Sequence, residues 1–156
     1  MIRPTKPSDT EALLALTEAT GVFKPHEIAA LKGVLDDYHA FEHLHDHVGV
    51  TYEAHGAIIG FAYYALTPMT DRTWDLYWIA VSKQTQAKGI GGKLLKHVED
   101  DLRAKQGRIL LIETSALPHY ELTRKFYLKH GYDQESRIRD YYADGDDLVV
   151  FRKRLI

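Results

Sequence analysis

Three glycines and two lysines crowd the stretch Gln84–Leu95, QTQAKGIGGKLL, just ahead of an apolar run at helical spacing. Small residues that open a helix let an anion approach backbone N–H groups, and the helix N-terminus adds roughly half a positive charge in effect. Phosphate is the natural guest. The ATP-binding loop requires Gly where Ala87 stands and Ser or Thr where Leu94 stands, so it does not fit. The dinucleotide fingerprint G-x-G-x-x-G begins at Gly89 and Gly91 but fails at Leu94. A third pattern, Q/R-x-x-G-x-G/A, is met throughout by Gln86-Ala87-Lys88-Gly89-Ile90-Gly91.

The apolar run just upstream is the other place where chemistry can gather. Trp74–Val81 alternates as a mostly buried strand, which puts Asp75, Tyr77, Ile79 and Val81 on one face. Asp75 is then a candidate base, or an aspartate at a hairpin end. Glu113, closing the later buried strand RILLIET, is a second carboxylate of the same kind. His43, His45 and His47 alternate in FEHLHDHVG, with His39 and His55 nearby; without a further ligand at fixed spacing they are expected to be loop histidines, with no metal. Glu27, Asp36, Asp37 and Glu42 fit an ordinary solvated helix face.

The elements that must position these groups follow from periodicity. Ile2-Arg3 is a short strand stopped by Pro4, and Ser8 and Asp9 offer N-caps to a helix carrying Leu13, Leu14 and Leu16. A second helix is predicted from Pro25 to about Leu35. Val48–Glu53 and Ala57–Leu66 are strands joined at AHG. Ile90, Leu94, Val98 and Leu102 mark an amphipathic helix over Gly89–Lys105, ended by Gly107. Strand RILLIET, a helix over Glu121–His130 stopped by Gly131, and a strand pair turning at ADGD complete the order β-αα-βββ-α-β-α-ββ. That order predicts a mixed α/β sheet in one domain over residues 1–156.

Composition bounds the function. A net charge of −2 argues against a general nucleic-acid binder, and 45% apolar with 27% charged residues is ordinary globular composition. No apolar run reaches membrane-spanning length and the start, MIRPTKPSDT, lacks a signal-peptide core, so no membrane partner and a cytoplasmic location are expected. The absence of cysteine excludes disulfides, zinc-thiolate sites and a cysteine nucleophile.

Three blocks, YWIAVSKQTQAKGIGGKLL, LLIETS and TRKFYLKHGY, in this order and spacing resemble the GNAT superfamily of acyl-CoA-dependent N-acyltransferases over nearly the whole chain. The resemblance implies a central mixed sheet of about six to seven strands flanked by about four helices. The Trp74–Val81 and Arg108–Thr114 strands would splay to form a cleft for acetyl-CoA. It implies cofactor contacts from Ile79, Ala80 and Val81 on the strand and from Gln86, Ala87, Lys88, Gly89, Ile90, Gly91, Gly92 and Lys93 in the loop. Tyr120, Thr123, Phe126 and Tyr127 would complete that set. Many relatives carry Asn at the position of Tyr120 and a small residue at that of Thr123, so side-chain contacts to the pantetheine arm should differ here.

The same resemblance makes Tyr127 the general acid for the CoA thiolate and places Asp75 where many relatives carry a catalytic glutamate. Asp is shorter, so it would act through water. Tyr141 and Tyr142 end a strand that lines the acceptor groove in relatives, a weak pointer to a peptide acceptor. The implied reaction is transfer of acetyl from acetyl-CoA to a primary amine, small and cationic or on a peptide, by direct attack in a ternary complex. A non-catalytic acyl-CoA-binding sensor or scaffold is the alternative, and a homodimer is compatible with either.

Overall fold

The computed structural model describes residues 1–41, 46–85 and 88–156. The observed order is β1 (Ile2–Pro4), α1 (Thr10–Ala19), α2 (Pro25–Ala40), β2 (His47–Ala54), β3 (Ala57–Leu66), β4 (Thr73–Val81), α3 (Ile90–Ala104), β5 (Ile109–Ser115), α4 (Glu121–Lys129), β6 (Asp133–Ala143) and β7 (Asp146–Arg154). Short 3-10 turns at Pro7–Asp9 and Pro118–Tyr120 precede α1 and α4. The strands form one seven-stranded sheet in the order β1-β2-β3-β4-β5-β7-β6. It is mixed. β4 and β5 run parallel, whereas β1–β2, β2–β3, β5–β7 and β6–β7 are antiparallel. Among the described residues no helix is long and apolar enough to cross a membrane.

The chain divides into two compact units, Met1–Ala65 with Trp78–Val98, and Leu66–Tyr77 with Glu99–Ile156. In the first, Leu13, Leu31, Leu35, Phe61, Tyr63 and Ala80 form a core with Phe23 and Trp78 packed against it. Gly60 allows close approach of helix to strand there, because a Cβ would meet Leu94 Cδ1 at 2.9 Å. The β2–β3 hairpin turns on His55 and Gly56, both with positive φ (53° and 75°), the backbone twist a two-residue hairpin needs.

In the second unit Trp74, Leu76, Leu102, Leu110, Ile112, Tyr127, Tyr132, Leu148 and Phe151 are buried. The parallel β4–β5 register runs from Thr73↔Ile109 to Leu76↔Ile112. β5 then continues to Ser115 paired with β7, and β4 continues to Val81. β6 pairs Ile138 with Leu148 and Ala143 with Asp146, so the backbone of Arg139–Tyr142 bulges against Asp147 alone. Asp147 holds that bulge, accepting from Arg137 Nε at 2.8 Å and from the Asp140 N–H at 2.9 Å.

Two local expectations change. Asp9 does not cap α1; its carboxylate accepts from Arg3 at 2.8 and 3.0 Å and from the Lys6 N–H at 2.7 Å. A half-buried guanidinium partner outcompetes the helix amides. α3 ends at Ala104, just ahead of Gly107; Gln106 takes the left-handed conformation (φ 60°), and the Gly107 N–H reaches back to the Leu102 carbonyl at 2.7 Å. The second helix continues past Leu35 to Ala40, because Tyr38 keeps the apolar stripe going against Tyr63 at 5.6 Å.

Candidate active site

The two carboxylates come together through strand register. Asp75 pairs with Leu111 across the β4–β5 ladder, and Glu113 lies two residues beyond Leu111, so both side chains belong to one face of the sheet. Tyr77, two residues beyond Asp75, is on the same face and 53% exposed. Asp75 is half-buried, and among the described residues its carboxylate accepts one hydrogen bond, from Thr67 Oγ1 to Oδ2.

This face disfavours negative charge. Burial pushes the Asp75 carboxyl up, with the Thr67 hydroxyl opposing. Glu113 is pushed up by burial and then by the charge of Asp75. Tyr77 is raised by burial and by both carboxylates. Tyr142, from the β6 bulge, is raised first by burial and then by Glu113, Tyr141, Asp146 and Tyr120 in that order. Asp75, Tyr77, Glu113 and Tyr142 therefore make a crowded acidic and aromatic surface, open on one side, that gains from a cationic guest.

Tyr127 occupies a different environment. It is 3% exposed on α4, with its ring 5.4 Å from Phe126, 5.4 Å from Phe151 and 6.0 Å from Tyr132. Burial pushes its phenol well above the ordinary range. Its hydroxyl makes no hydrogen bond among the described residues, so both the donor and the acceptor remain for an incoming group. Tyr132 anchors the ring stack by donating to Glu99 Oε2 at 2.6 Å. Tyr120 is buried at the start of α4 beside His119, with ring centroids 4.5 Å apart. Thr123 and Phe126 are half-buried on the same helix. Arg124 donates to the carbonyls of Ser115 and Leu117 at 2.8 and 2.9 Å, which ties α4 to the end of β5.

In the other unit, the glycine loop ends in α3. Gly89 takes positive φ (74°), and a Cβ there would meet nothing within 4 Å, so the conformation and not crowding demands glycine. The N–H of Lys88 donates to the Thr85 carbonyl at 3.0 Å, and that of Lys93 to the Gly89 carbonyl at 3.1 Å. Those two amides are already engaged. Gly89, Ile90, Gly91 and Gly92 are the loop members whose N–H groups open α3. Gln86 and Ala87 lie outside the described residues. On β4, Ala80 is buried, while Ile79 and Val81 are half-buried.

Of the histidines, His43 and His45 lie outside the described residues. His47 opens β2 and shares a hydrogen bond with the Tyr63 hydroxyl at 2.6 Å. Among the described residues no group of three or more His, Asp or Glu is placed to hold a metal ion. Thr67 went unnoticed in the sequence. The offset of the β3–β4 turn, which sets Thr67 opposite Thr73 and diagonal to Asp75, is the signal that finds it.

Residues 45–134 match the acetyltransferase (GNAT) domain family. A solved structure from Desulfovibrio desulfuricans, assigned as an acetyltransferase of the GNAT family, is 32% identical, with a TM-score of 0.95 over 100% of this chain and 99% of that one. An uncharacterized N-acetyltransferase of Methanocaldococcus jannaschii is 29% identical over 105 residues, 65% of this chain; the match spans 63% of that relative's length. An aminoglycoside 6'-N-acetyltransferase complexed with coenzyme A shares the fold at 16% identity, with a TM-score of 0.78 over 100% of this chain and 97% of that one.

Proposed function

The chain belongs to the GNAT acetyltransferase family, and on that premise we propose that residues 1–156 act as one domain transferring acetyl from acetyl-CoA to a primary amine. Attack is direct, in a ternary complex. The observation that carries this reading is the pair Asp75 and Glu113, brought to one sheet face by the β4–β5 register and flanked by Tyr77 and Tyr142.

An alkylammonium of pKa ~10.4 must lose a proton before its nitrogen can attack a thioester. Carboxylates draw the cation in, and Asp75, through one water, takes the proton. Burial suits this task, because a carboxylate with a raised pKa is a stronger base than an ordinary one. The amine then adds to the acetyl carbonyl, and the tetrahedral intermediate collapses with the thiolate leaving. Tyr127 gives that thiolate its proton and regains one from the second N–H that the nitrogen sheds as the amide forms. Its buried phenol stays protonated at any working pH, and the same burial raises the proton affinity of a sulfur placed beside it.

Backbone N–H groups of Gly89, Ile90, Gly91 and Gly92 bind the pyrophosphate, with Lys88 and Lys93 adding charge. Ile79, Ala80 and Val81 supply contacts to the thioester and pantetheine arm, and Tyr120, Thr123 and Phe126 the α4 side of the cofactor. A cytoplasmic location goes with this reading. The experiment is free-thiol release from acetyl-CoA over a panel of small diamines, amino sugars and peptides. Amine-dependent release with a mass gain of one acetyl supports it; slow hydrolysis with no acetylated product from any amine overturns it.

A further inference from the structure

Asp75 has an unusual neighbour. Thr67 is the first residue past β3, and its N–H donates to the Thr73 carbonyl at 2.8 Å. That bond makes Thr67 and Thr73 opposing residues, so Asp75 is the diagonal neighbour on β4, within reach of a short side chain. The turn between them is stapled by Thr70, whose hydroxyl donates to the Thr67 carbonyl at 2.8 Å while accepting from the Thr73 N–H at 3.2 Å. Thr67 is half-buried and held at both its backbone groups, so its hydroxyl has little freedom. It donates to Asp75 Oδ2.

We propose that Thr67 is a positioning residue for the acceptor site: its hydroxyl holds Asp75 in its ionised form with Oδ2 occupied and leaves Oδ1 for the acceptor or its bridging water. Burial is what opposes this ionisation. Glu113 on β5 and Tyr77 on β4 share the Asp75 face of the sheet, and the Asp75 charge raises both of them. Among the described residues, no cation forms an ion pair with Asp75. A donor hydroxyl is therefore the stabilising contact the carboxylate has, and only the ionised form accepts it fully. The functional half of this inference rests on Asp75 being the base; the ionisation half does not.

Two measurements separate those halves. In full-length protein, the Asp75 carboxyl is titrated by carbon NMR in the native chain, Thr67→Val and Thr67→Ser. Valine keeps the branched shape and removes the hydroxyl, so the Asp75 titration should move about one unit to higher pH, while serine leaves it in place. Alongside, the pH profile of acetyl transfer should show its acid limb moving up by the same amount in Thr67→Val only, with the KM for acetyl-CoA unchanged. An unmoved Asp75 titration in Thr67→Val overturns the proposal. A moved titration with an unmoved rate profile keeps the hydrogen-bond assignment and overturns Asp75 as the base. Equal losses of rate at every pH in both variants, with no titration shift, mark Thr67 as a turn residue only.

Discussion

At the scale of single residues, the site divides its proton chemistry by burial. Asp75 is half-buried and raised, so it binds a proton more readily than an exposed aspartate. Because the base must be ionised, turnover should rise with pH through an apparent pKa above the ordinary aspartate value of about 3.9. Asp75→Asn keeps the shape and removes the basicity. Turnover should fall across the range and lose that acid limb, with partial recovery at high pH where more amine is already neutral, and acetyl-CoA affinity by calorimetry should hold. A native pH profile in this variant would move the role to Glu113, tested next as Glu113→Gln. Tyr127 is the opposite case, fully packed and neutral. Tyr127→Phe deletes one hydroxyl from an intact ring stack, so turnover should drop ~10²-fold or more at unchanged CoA affinity. Retained turnover with lost affinity would make the ring a packing contact.

At the scale of elements, each half of the chemistry belongs to a boundary where regular structure stops. α3 begins at Ile90, directly after the left-handed Gly89, and its first amides have no partners inside the helix. A β-branched side chain at the second helical position narrows that approach. Gly91→Val should weaken CoA binding at least tenfold by calorimetry, with helix content by circular dichroism retained. Unchanged affinity in the folded variant would remove the pyrophosphate assignment. The β4–β5 ladder likewise stops at Leu76↔Ile112, so the strand ends that carry Glu113 and Tyr77 are the first residues past the paired segment. On β6 the bulge over Arg139–Tyr142, tied to Asp147, carries Tyr142 beside Glu113 where an unbroken ladder would set it out of step.

At the scale of the whole molecule, a polar contact inside the second unit fixes the frame behind Tyr127. Glu99 on α3 accepts from Tyr132 and from Lys153 Nζ at 3.2 Å to each oxygen, and Lys153 also donates to the His130 carbonyl at 2.9 Å. One carboxylate thus joins α3, β7 and the end of α4. Lys153→Met keeps most of the stem but strands Glu99, which is 7% exposed, with Arg103 at 3.9 Å as the remaining cation. Stability in urea should fall by about 1–3 kcal/mol, moderated because Lys153 is partly exposed. A midpoint equal to that of the native chain would show that Arg103 or solvent takes over the charge.

Much of this was legible in the sequence. The element order is observed as expected, because apolar spacing and the turn glycines Gly56, Gly131 and Gly145 act locally: each needs only its own neighbours to fix a period or a positive φ. The glycine loop, Asp75, Glu113 and Tyr127 could be named for the same reason, as residue types at set distances from those elements. What the linear order does not hold is which side chains meet once strands pair. Whether Asp75 and Glu113 share a face depends on the β4–β5 register, which pairs residues 36 apart, Asp75 with Leu111. Asp9 turned from cap to ion-pair partner because Arg3 is packed beside it, and Thr67 reached Asp75 across a turn. Each is a competition between a local preference and a contact that only tertiary packing brings within hydrogen-bonding distance, and at that distance the contact wins.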